Sequence, residues 1–107
     1  MVHKVLFRPQ AEADLEHLFD YIRDKSGPQT ALGYIRRIRT YCEGFSSAAE
    51  RGRRRDDIRQ GLRIVGFERS AVIIFEVTPT TVRIGRIAYR GRDIDALLAE
   101  DDDPPAS

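Results

Sequence analysis

The stretch that decides the fold runs from Ile58 to Asp93 and reads IRQGLRIVGFERSAVIIFEVTPTTVRIGRIAYRGRD. Three segments in it are rich in β-branched and aromatic residues: Gly61–Phe67, Ala71–Thr78 and Thr81–Tyr89. Turn-forming residues separate these segments, at Glu68–Ser70 and at Pro79–Thr80. Because short segments of this composition pair with their neighbours along the chain, the stretch predicts a three-stranded antiparallel meander.

The middle segment carries apolar residues on both of its faces. One face would show Ile73, Phe75 and Val77, and the other Val72, Ile74 and Glu76. This pattern is typical of a central strand that is covered on both sides, or of a strand with one side awaiting a partner. Since 107 residues are too few to cover both faces fully, we expect a partner to fill an apolar groove between helices and sheet.

The N-terminal half predicts a strand followed by two helices. The strand is expected at Lys4–Arg8 and the helices at Gln10–Lys25 and Gln29–Phe45. Both helices have an apolar stripe with helical spacing, formed by Ala11, Leu15, Leu18, Phe19 and Ile22 in the first and by Ala31, Tyr34, Ile35, Ile38, Cys42 and Phe45 in the second. Gly27 and Pro28 separate the helices, and so short a connection predicts an antiparallel hairpin.

The remaining segments complete a two-layer α+β domain. Ser46–Asp57 has no apolar period and is expected to be an exposed linker. Asp93–Glu100 predicts a short C-terminal helix with Ile94, Leu97 and Leu98 on its apolar face. We therefore expect one domain over residues 1–100, followed by a disordered acidic tail over residues 101–107.

Composition indicates a folded protein of the cytoplasm. The hydrophobic fraction is 41% and the charged fraction is 33%. A single cysteine, Cys42, cannot form an internal disulfide, which fits a reducing compartment. The chain has neither a signal-peptide pattern at its start nor the run of about 20 apolar residues that a membrane helix needs.

The arginines concentrate in one part of the chain. Residues 51–92 contain eleven arginines, no lysine and four acids, a net charge of +7, whereas the whole chain has +1. Such polarity is typical either of a surface that faces an anionic partner or of a solvated charged surface. The run Arg53, Arg54 and Arg55 is a candidate anion-binding site.

The sequence predicts no cofactor and no metal site. His3 and His17 are far apart, and Cys42 lies on an apolar stripe, so the clustered ligands that zinc requires are missing. No glycine-rich phosphate loop and no nucleophile beside a base can be identified. We therefore assign no catalytic residue.

These features together resemble the ParE toxins of the RelE/ParE superfamily, which belong to bacterial type II toxin–antitoxin systems. The resemblance covers about Val5 to Leu98. The residues that carry it are Ala13-Asp14-Leu15, Tyr21-Ile22, Ala31, Tyr34-Ile35, Gly52-Arg53, Arg55-Asp56, Gly61-Leu62-Arg63, Ile84, Arg86-Ile87 and Tyr89-Arg90-Gly91-Arg92-Asp93. It implies a helical hairpin packed on an antiparallel sheet, with a groove for the C-terminal segment of an antitoxin.

The superfamily offers two functions. RelE-like proteins are ribosome-dependent mRNA endoribonucleases that use lysines before the sheet and a tyrosine in the last helix. Here Lys4 and Lys25 are the only lysines, and the last helix has Leu97 and Leu98. The ParE branch, which poisons DNA gyrase and is not known as a hydrolase, is therefore favoured. A third hypothesis is a non-enzymatic nucleic-acid-binding module that uses residues 51–55.

Five residues are assigned a partner- or target-binding role: Arg63, Arg86, Tyr89, Arg92 and Asp93. Guanidinium groups bind carboxylates and phosphates bidentately, and Asp93 is expected to orient one of them or to cap the last helix. The partners that the resemblance implies are a ParD-like antitoxin and DNA gyrase. We expect the protein to contact operator DNA only through the antitoxin, and we expect no interaction with a membrane.

Overall fold

The structure is a computed structural model that describes residues 2–89, and it confirms the two-layer α+β class. Its elements are β1 (Lys4–Phe7), α1 (Pro9–Ser26), α2 (Pro28–Glu43), a 3-10 turn (Gly44–Ser46), β2 (Arg53–Arg54), β3 (Leu62–Phe67), β4 (Ala71–Val77) and β5 (Thr81–Tyr89). The two helices pack against one face of a single sheet. The predicted C-terminal helix at 93–100 and the tail at 101–107 lie outside the described residues.

The two helices form the predicted hairpin. Gly27 alone separates them, and its φ of +93° and ψ of 161° are open only to glycine at low cost. Pro28 then begins α2, where its missing N–H is not needed. The buried residues of the helices are those of the predicted stripes, namely Ala11, Leu15, Leu18 and Ile22 in α1 and Ala31, Tyr34, Ile38 and Cys42 in α2. Within residues 2–89, no helix combines the length and the apolar character that crossing a membrane requires.

The sheet has five strands in the order β1-β5-β4-β3-β2. The meander β3-β4-β5 is antiparallel as predicted, and β1 adds to it in parallel beside β5, with Lys4 opposite Thr81 and Phe7 opposite Ile84. The parallel pairing is possible because the helical hairpin carries the chain across the sheet between the two strands.

A bulge interrupts the pairing of β4 with β5. Ile74 lies opposite Arg86 and Phe75 lies opposite Ile84, so Gly85 is an extra residue in β5. The bulge shifts the alternation of side chains by one position. As a result, Ile84 and Ile87 both join the core against the helices, although they are three residues apart.

Both faces of β4 are buried. Ile73 and Phe75 are 0% exposed in the main core under the helices, and Ile74 is 1% exposed in a second cluster with Leu62 and Ile64. The expectation that one face of this strand awaits a partner is therefore wrong. The second cluster exists because Ile58 and Val72 pack against it from the same side of the sheet.

The segment 46–57 differs from the predicted exposed linker. Helix α2 ends at Glu43, and Phe45 is buried in the 3-10 turn that follows. Ala49 is also buried, at 6% exposure. Residues Arg53–Arg54 then form β2, which pairs with β3 at the edge of the sheet. Local pattern cannot show this pairing, because a two-residue strand has no detectable period.

Candidate functional site

The predicted binding residues Arg63 and Arg86 lie on β3 and β5, the two strands that flank β4. The meander therefore places them on nearby strands of one sheet. Their guanidinium groups, however, have partners on opposite sides of β4. Arg63 Nη1 donates to the backbone oxygen of Arg51 at 3.3 Å, whereas Arg86 contacts Asp14 on α1. The structure therefore does not bring the two groups together.

Arg86 and Asp14 form a largely buried, bidentate ion pair. Arg86 Nε lies 2.9 Å from Asp14 Oδ2, and Arg86 Nη2 lies 3.1 Å from Asp14 Oδ1. Their side chains are 12% and 10% exposed. The backbone N–H of Ile87 donates to Asp14 Oδ2 at 2.8 Å. β1 pairs with β5 only as far as Ile84, so the backbone of β5 beyond this residue is not paired with β1. Asp14 supplies a hydrogen-bond acceptor for that backbone.

Tyr89 is half-buried in an aromatic cluster at the end of β5. Its ring centroid lies 5.3 Å from that of Tyr21 and 6.0 Å from that of Tyr34, both in edge-to-face arrangements. The Tyr34 hydroxyl lies 2.9 Å from Ser70 Oγ, and burial raises the pKa of Tyr34. The cluster therefore ties both helices to the end of the sheet.

The candidate anion-binding run lies at the β2 edge of the sheet. Arg54 Nη2 is 2.6 Å from Asp56 Oδ2, and Arg55 holds both oxygens of Asp57 at 3.0 Å. The hydrogen bond from Arg55 lowers the pKa of Asp57. Arg53 is exposed and makes no ion pair with any residue of the described part of the chain.

The backbone also holds the segment after β2 in place. The Gly61 N–H donates to Asp56 Oδ1 at 2.9 Å, which is the main cause of the lowered pKa of that carboxyl. Asp56 therefore connects the arginine run to the start of β3. Arg59 forms a second link, a part-buried ion pair with Glu76 on β4.

A groove of about 460 Å³ lies between α2 and the end of β3. It is lined by Arg36, Arg37, Thr40, Tyr41, Phe67 and Glu68. Arg37 holds Glu68 bidentately at 2.8 and 3.0 Å and so bridges from the helix to the β3–β4 turn. The groove lies between hairpin and sheet, but it borders β3 and not the middle strand β4, on which the sequence-based expectation of a partner groove rested.

The partners that surround the predicted site are not evident from the sequence alone. Asp14 contacts Arg86 across 72 positions of sequence, and Tyr21 and Tyr34 contact Tyr89. The available signal was that all three partners belong to the residues that carry the family resemblance. Arg92 and Asp93, the other two predicted binding residues, lie outside the described residues.

Cys42 has the properties of a structural thiol. It is 0% exposed, and burial raises the pKa of its thiol to about 12. Since the thiolate is the reactive form, this side chain is inert at neutral pH. His17 is exposed on α1. Within residues 2–89, no three histidine, cysteine or acidic side chains are grouped so that they could hold a metal ion.

Comparison with known proteins agrees with this fold along most of the chain. The family described as "ParE toxin of type II toxin-antitoxin system, parDE" matches residues 5–94. Toxin ParE1 of Mycobacterium tuberculosis, in strains CDC 1551 / Oshkosh and ATCC 25618 / H37Rv, is 28% identical over 99 residues, which are 92% of this chain and 100% of the relative. A solved structure described as "Chromosomal ParDE TA system from P. aeruginosa" aligns with a TM-score of 0.71 and 25% identity, covering 82% of this chain and 96% of the other. Because the family match includes both helices and all of the described sheet except Lys4, this chain belongs to the ParE toxins of type II toxin–antitoxin systems.

Proposed function

We propose that this ParE-family toxin inhibits growth by poisoning DNA gyrase, that it is not a hydrolase, and that a ParD-like antitoxin neutralises it. Its membership of the ParE family supports the proposal. The similarity to a chain of a ParDE system from P. aeruginosa supports an antitoxin as partner. The alternative function is the ribosome-dependent cleavage of mRNA by RelE-like proteins.

The observation that favours gyrase poisoning over RNA cleavage is the arrangement of Arg86. Cleavage of a phosphodiester needs charge stabilisation and proton transfer at the same phosphate, with the groups within hydrogen-bond reach of it. Asp14 occupies the fork of Arg86 in a buried pair, and Arg63 lies on the other side of β4. The two arginines thus do not converge on one phosphate. Tyr89 is half-buried, and its ring packs against those of Tyr21 and Tyr34 at the margin of the core.

The groove between α2 and β3 is the proposed site for the antitoxin. Its lining combines the aromatic rings of Tyr41 and Phe67 with the exposed charges of Arg36, Arg37 and Glu68. A groove with an apolar floor and polar rim is suited to an amphipathic segment, whose apolar side chains would enter it. Binding there would involve both layers of the fold at once.

A gyrase assay tests the function. Purified toxin is added to gyrase, ATP and relaxed plasmid, and supercoiling and cleaved-complex accumulation are followed on gels. We expect supercoiling to be lost and to return when the ParD-like protein encoded next to the toxin is added. In parallel, primer extension maps mRNA ends in cells that express the toxin. Unaffected gyrase together with cleavage inside translated codons would overturn the proposal in favour of the RelE-like function.

A further inference from the structure

The edge of the sheet formed by β2 and the start of β3 carries an excess of positive charge. We call it the arginine edge and define it as Arg51, Arg53, Arg54, Arg55 and Arg63 together with Asp56 and Asp57. Its net charge is +3. Arg51, Arg53 and Arg54 are exposed, and the Arg54 side chain keeps 68% of its surface accessible.

The fold holds like charges together at this edge. Arg54 lies directly opposite Arg63 in the pairing of β2 with β3. Like charges in directly opposite positions destabilise an antiparallel pair. Asp56, whose Oδ2 lies 2.6 Å from Arg54 Nη2, offsets part of this repulsion. The edge still keeps a net charge of +3, which favours an anionic ligand.

Gly52 allows the backbone of the arginine edge to lie close to that of β3. Its φ is +71°, and a Cβ at this position would lie 2.3 Å from the backbone oxygen of Ile64. Only glycine lets the two backbones come this close. Arg53 and Arg54, which follow, therefore lie on a strand that is paired with β3.

The ligand that this chemistry fits best is a phosphate backbone. Every cation of the edge is an arginine, whose planar fork matches phosphate oxygens. Asp56 contacts Nη2 of Arg54 in a pair whose side chains are 38% and 68% exposed, and Asp57 holds Arg55 bidentately in a pair whose side chains are 65% and 27% exposed. Ion pairs with this much access to solvent contribute little stability. Phosphates can therefore replace the two carboxylates. A duplex with one negative charge per about 1.7 Å of its axis has the charge density to do so.

The edge also lacks the means to bind unpaired bases. Single-stranded nucleic acids are held by stacking on exposed aromatic rings. None of the residues that define the edge is aromatic. The rings of Tyr41 and Phe45 lie beside Arg51, whose guanidinium covers both, at 5.5 and 5.8 Å from their centroids. Phe45 is in addition fully buried.

We propose that the arginine edge binds the phosphate backbone of double-stranded DNA, directly and without reading its sequence. This departs from the expectation that the toxin meets DNA only through its antitoxin. The inference does not depend on gyrase being the target, since the phosphates have two possible sources: free duplex, such as the operator, and the DNA that gyrase holds.

Fluorescence anisotropy with a labelled 20-base-pair duplex of random sequence and the full-length chain tests the proposal. If Arg53, Arg54, Arg55 and Arg63 each contact one phosphate, the slope of log K against log salt should be about −3.6, an affinity loss of about 150-fold between 50 and 200 mM salt. The double variant Arg53→Gln/Arg54→Gln should halve this slope, because two of four contacts are removed.

Arg23→Gln/Arg69→Gln is the matched control. It removes the same charge from two exposed positions on α1 and on the β3–β4 turn, away from the arginine edge. We expect it to keep the slope and the affinity within about twofold. Asp57→Asn provides the opposite change, since it removes a carboxylate that competes for Arg55, and it should strengthen duplex binding.

The same variants identify the source of the phosphates. A defect of Arg53→Gln/Arg54→Gln with free random and operator duplexes alike supports free DNA as the ligand. A defect seen only in the toxin–gyrase–plasmid mixture supports DNA held by gyrase. Three results would overturn the proposal. They are no defect in either assay, a defect of the same size in the control variant Arg23→Gln/Arg69→Gln, and RNA duplex binding as tight as DNA duplex binding. Weaker antitoxin binding with DNA binding intact would also overturn it, because it would assign the edge to a protein.

Discussion

At the scale of single residues, the neighbours of an arginine decide its role. Arg63 and Arg86 match the family pattern equally well in sequence. In the folded chain Arg86 is 12% exposed and held by Asp14, whereas Arg63 makes one 3.3 Å hydrogen bond to a backbone oxygen in an exposed setting. A buried bidentate pair is costly to break, because its removal leaves the other charge without a partner.

The first prediction compares these two arginines in stability. Arg86→Ala should lower the free energy of unfolding by about 3 kcal/mol, because the largely buried carboxylate of Asp14 would lose its counter-charge while still accepting the hydrogen bond from the Ile87 N–H. Arg63→Ala should change it by about 0.5 kcal/mol or less. Urea denaturation followed by circular dichroism measures both.

A double-mutant cycle provides the control for this prediction. Asp14→Ala combined with Arg86→Ala should cost less than the sum of the single changes, because the two residues interact directly. Equal stability loss for Arg63→Ala and Arg86→Ala would contradict the structural role of the pair. Toxicity that survives in a folded Arg63→Ala variant would remove Arg63 from the binding site.

At the scale of secondary-structure elements, the position of β2 depends on one glycine, Gly52. Two residues are too few to form a strand by propensity. The strand exists because Gly52 allows the chain to touch β3 and because Arg51 packs on Tyr41 and Phe45. The arginine edge therefore depends on a contact between distant segments.

The second prediction concerns that contact. Gly52→Ala should destabilise the protein by about 2 kcal/mol or more, since a Cβ there meets backbone atoms and the φ angle is positive. Gly44→Ala is the matched control, because Gly44 has a φ of −65° and open space around it. Thermal melts compare the two, and hydrogen exchange at the amides of β3 reports on β2 pairing. An unchanged melting temperature for Gly52→Ala would mean that the segment shifts at little cost.

At the scale of the whole molecule, the two layers leave a groove where they meet. Helix α2 lies over the sheet, and its last turns border the β3–β4 turn through the Arg37–Glu68 pair. Thr40 lines this groove, and Thr30 occupies an exposed position on the same helix away from it. The same substitution at Thr40 and at Thr30 therefore distinguishes an effect on the groove from an effect on the helix.

The third prediction tests the groove as the antitoxin site. Thr40→Arg should weaken binding of the neighbour-encoded ParD-like protein at least about tenfold, or ~1.4 kcal/mol, because the larger charged side chain would fill the groove. Thr30→Arg introduces the same residue on the same helix and should leave the affinity unchanged. Calorimetric titration measures both variants, with thermal melts to verify folding. The groove loses its assigned role if both variants bind with the affinity of the unmodified chain.

The sequence by itself determined the elements that depend on local pattern. The helical stripes, the break at Gly27 and Pro28 and the alternation of the meander each follow from the spacing of residues within a few turns or a few strand positions. The same local reasoning identified Arg63, Arg86 and Tyr89 as candidates, because guanidinium and phenol groups have a known chemistry wherever they lie.

The tertiary structure alone decided what those elements and side chains contact. The parallel pairing of β1 with β5, the two-residue strand at Arg53–Arg54 and the burial of β4 on both faces join segments that are distant in sequence. Asp14 and Arg86 meet only after the hairpin has folded onto the sheet. No local period encodes such contacts, because they result from the combined packing of all elements around a shared core.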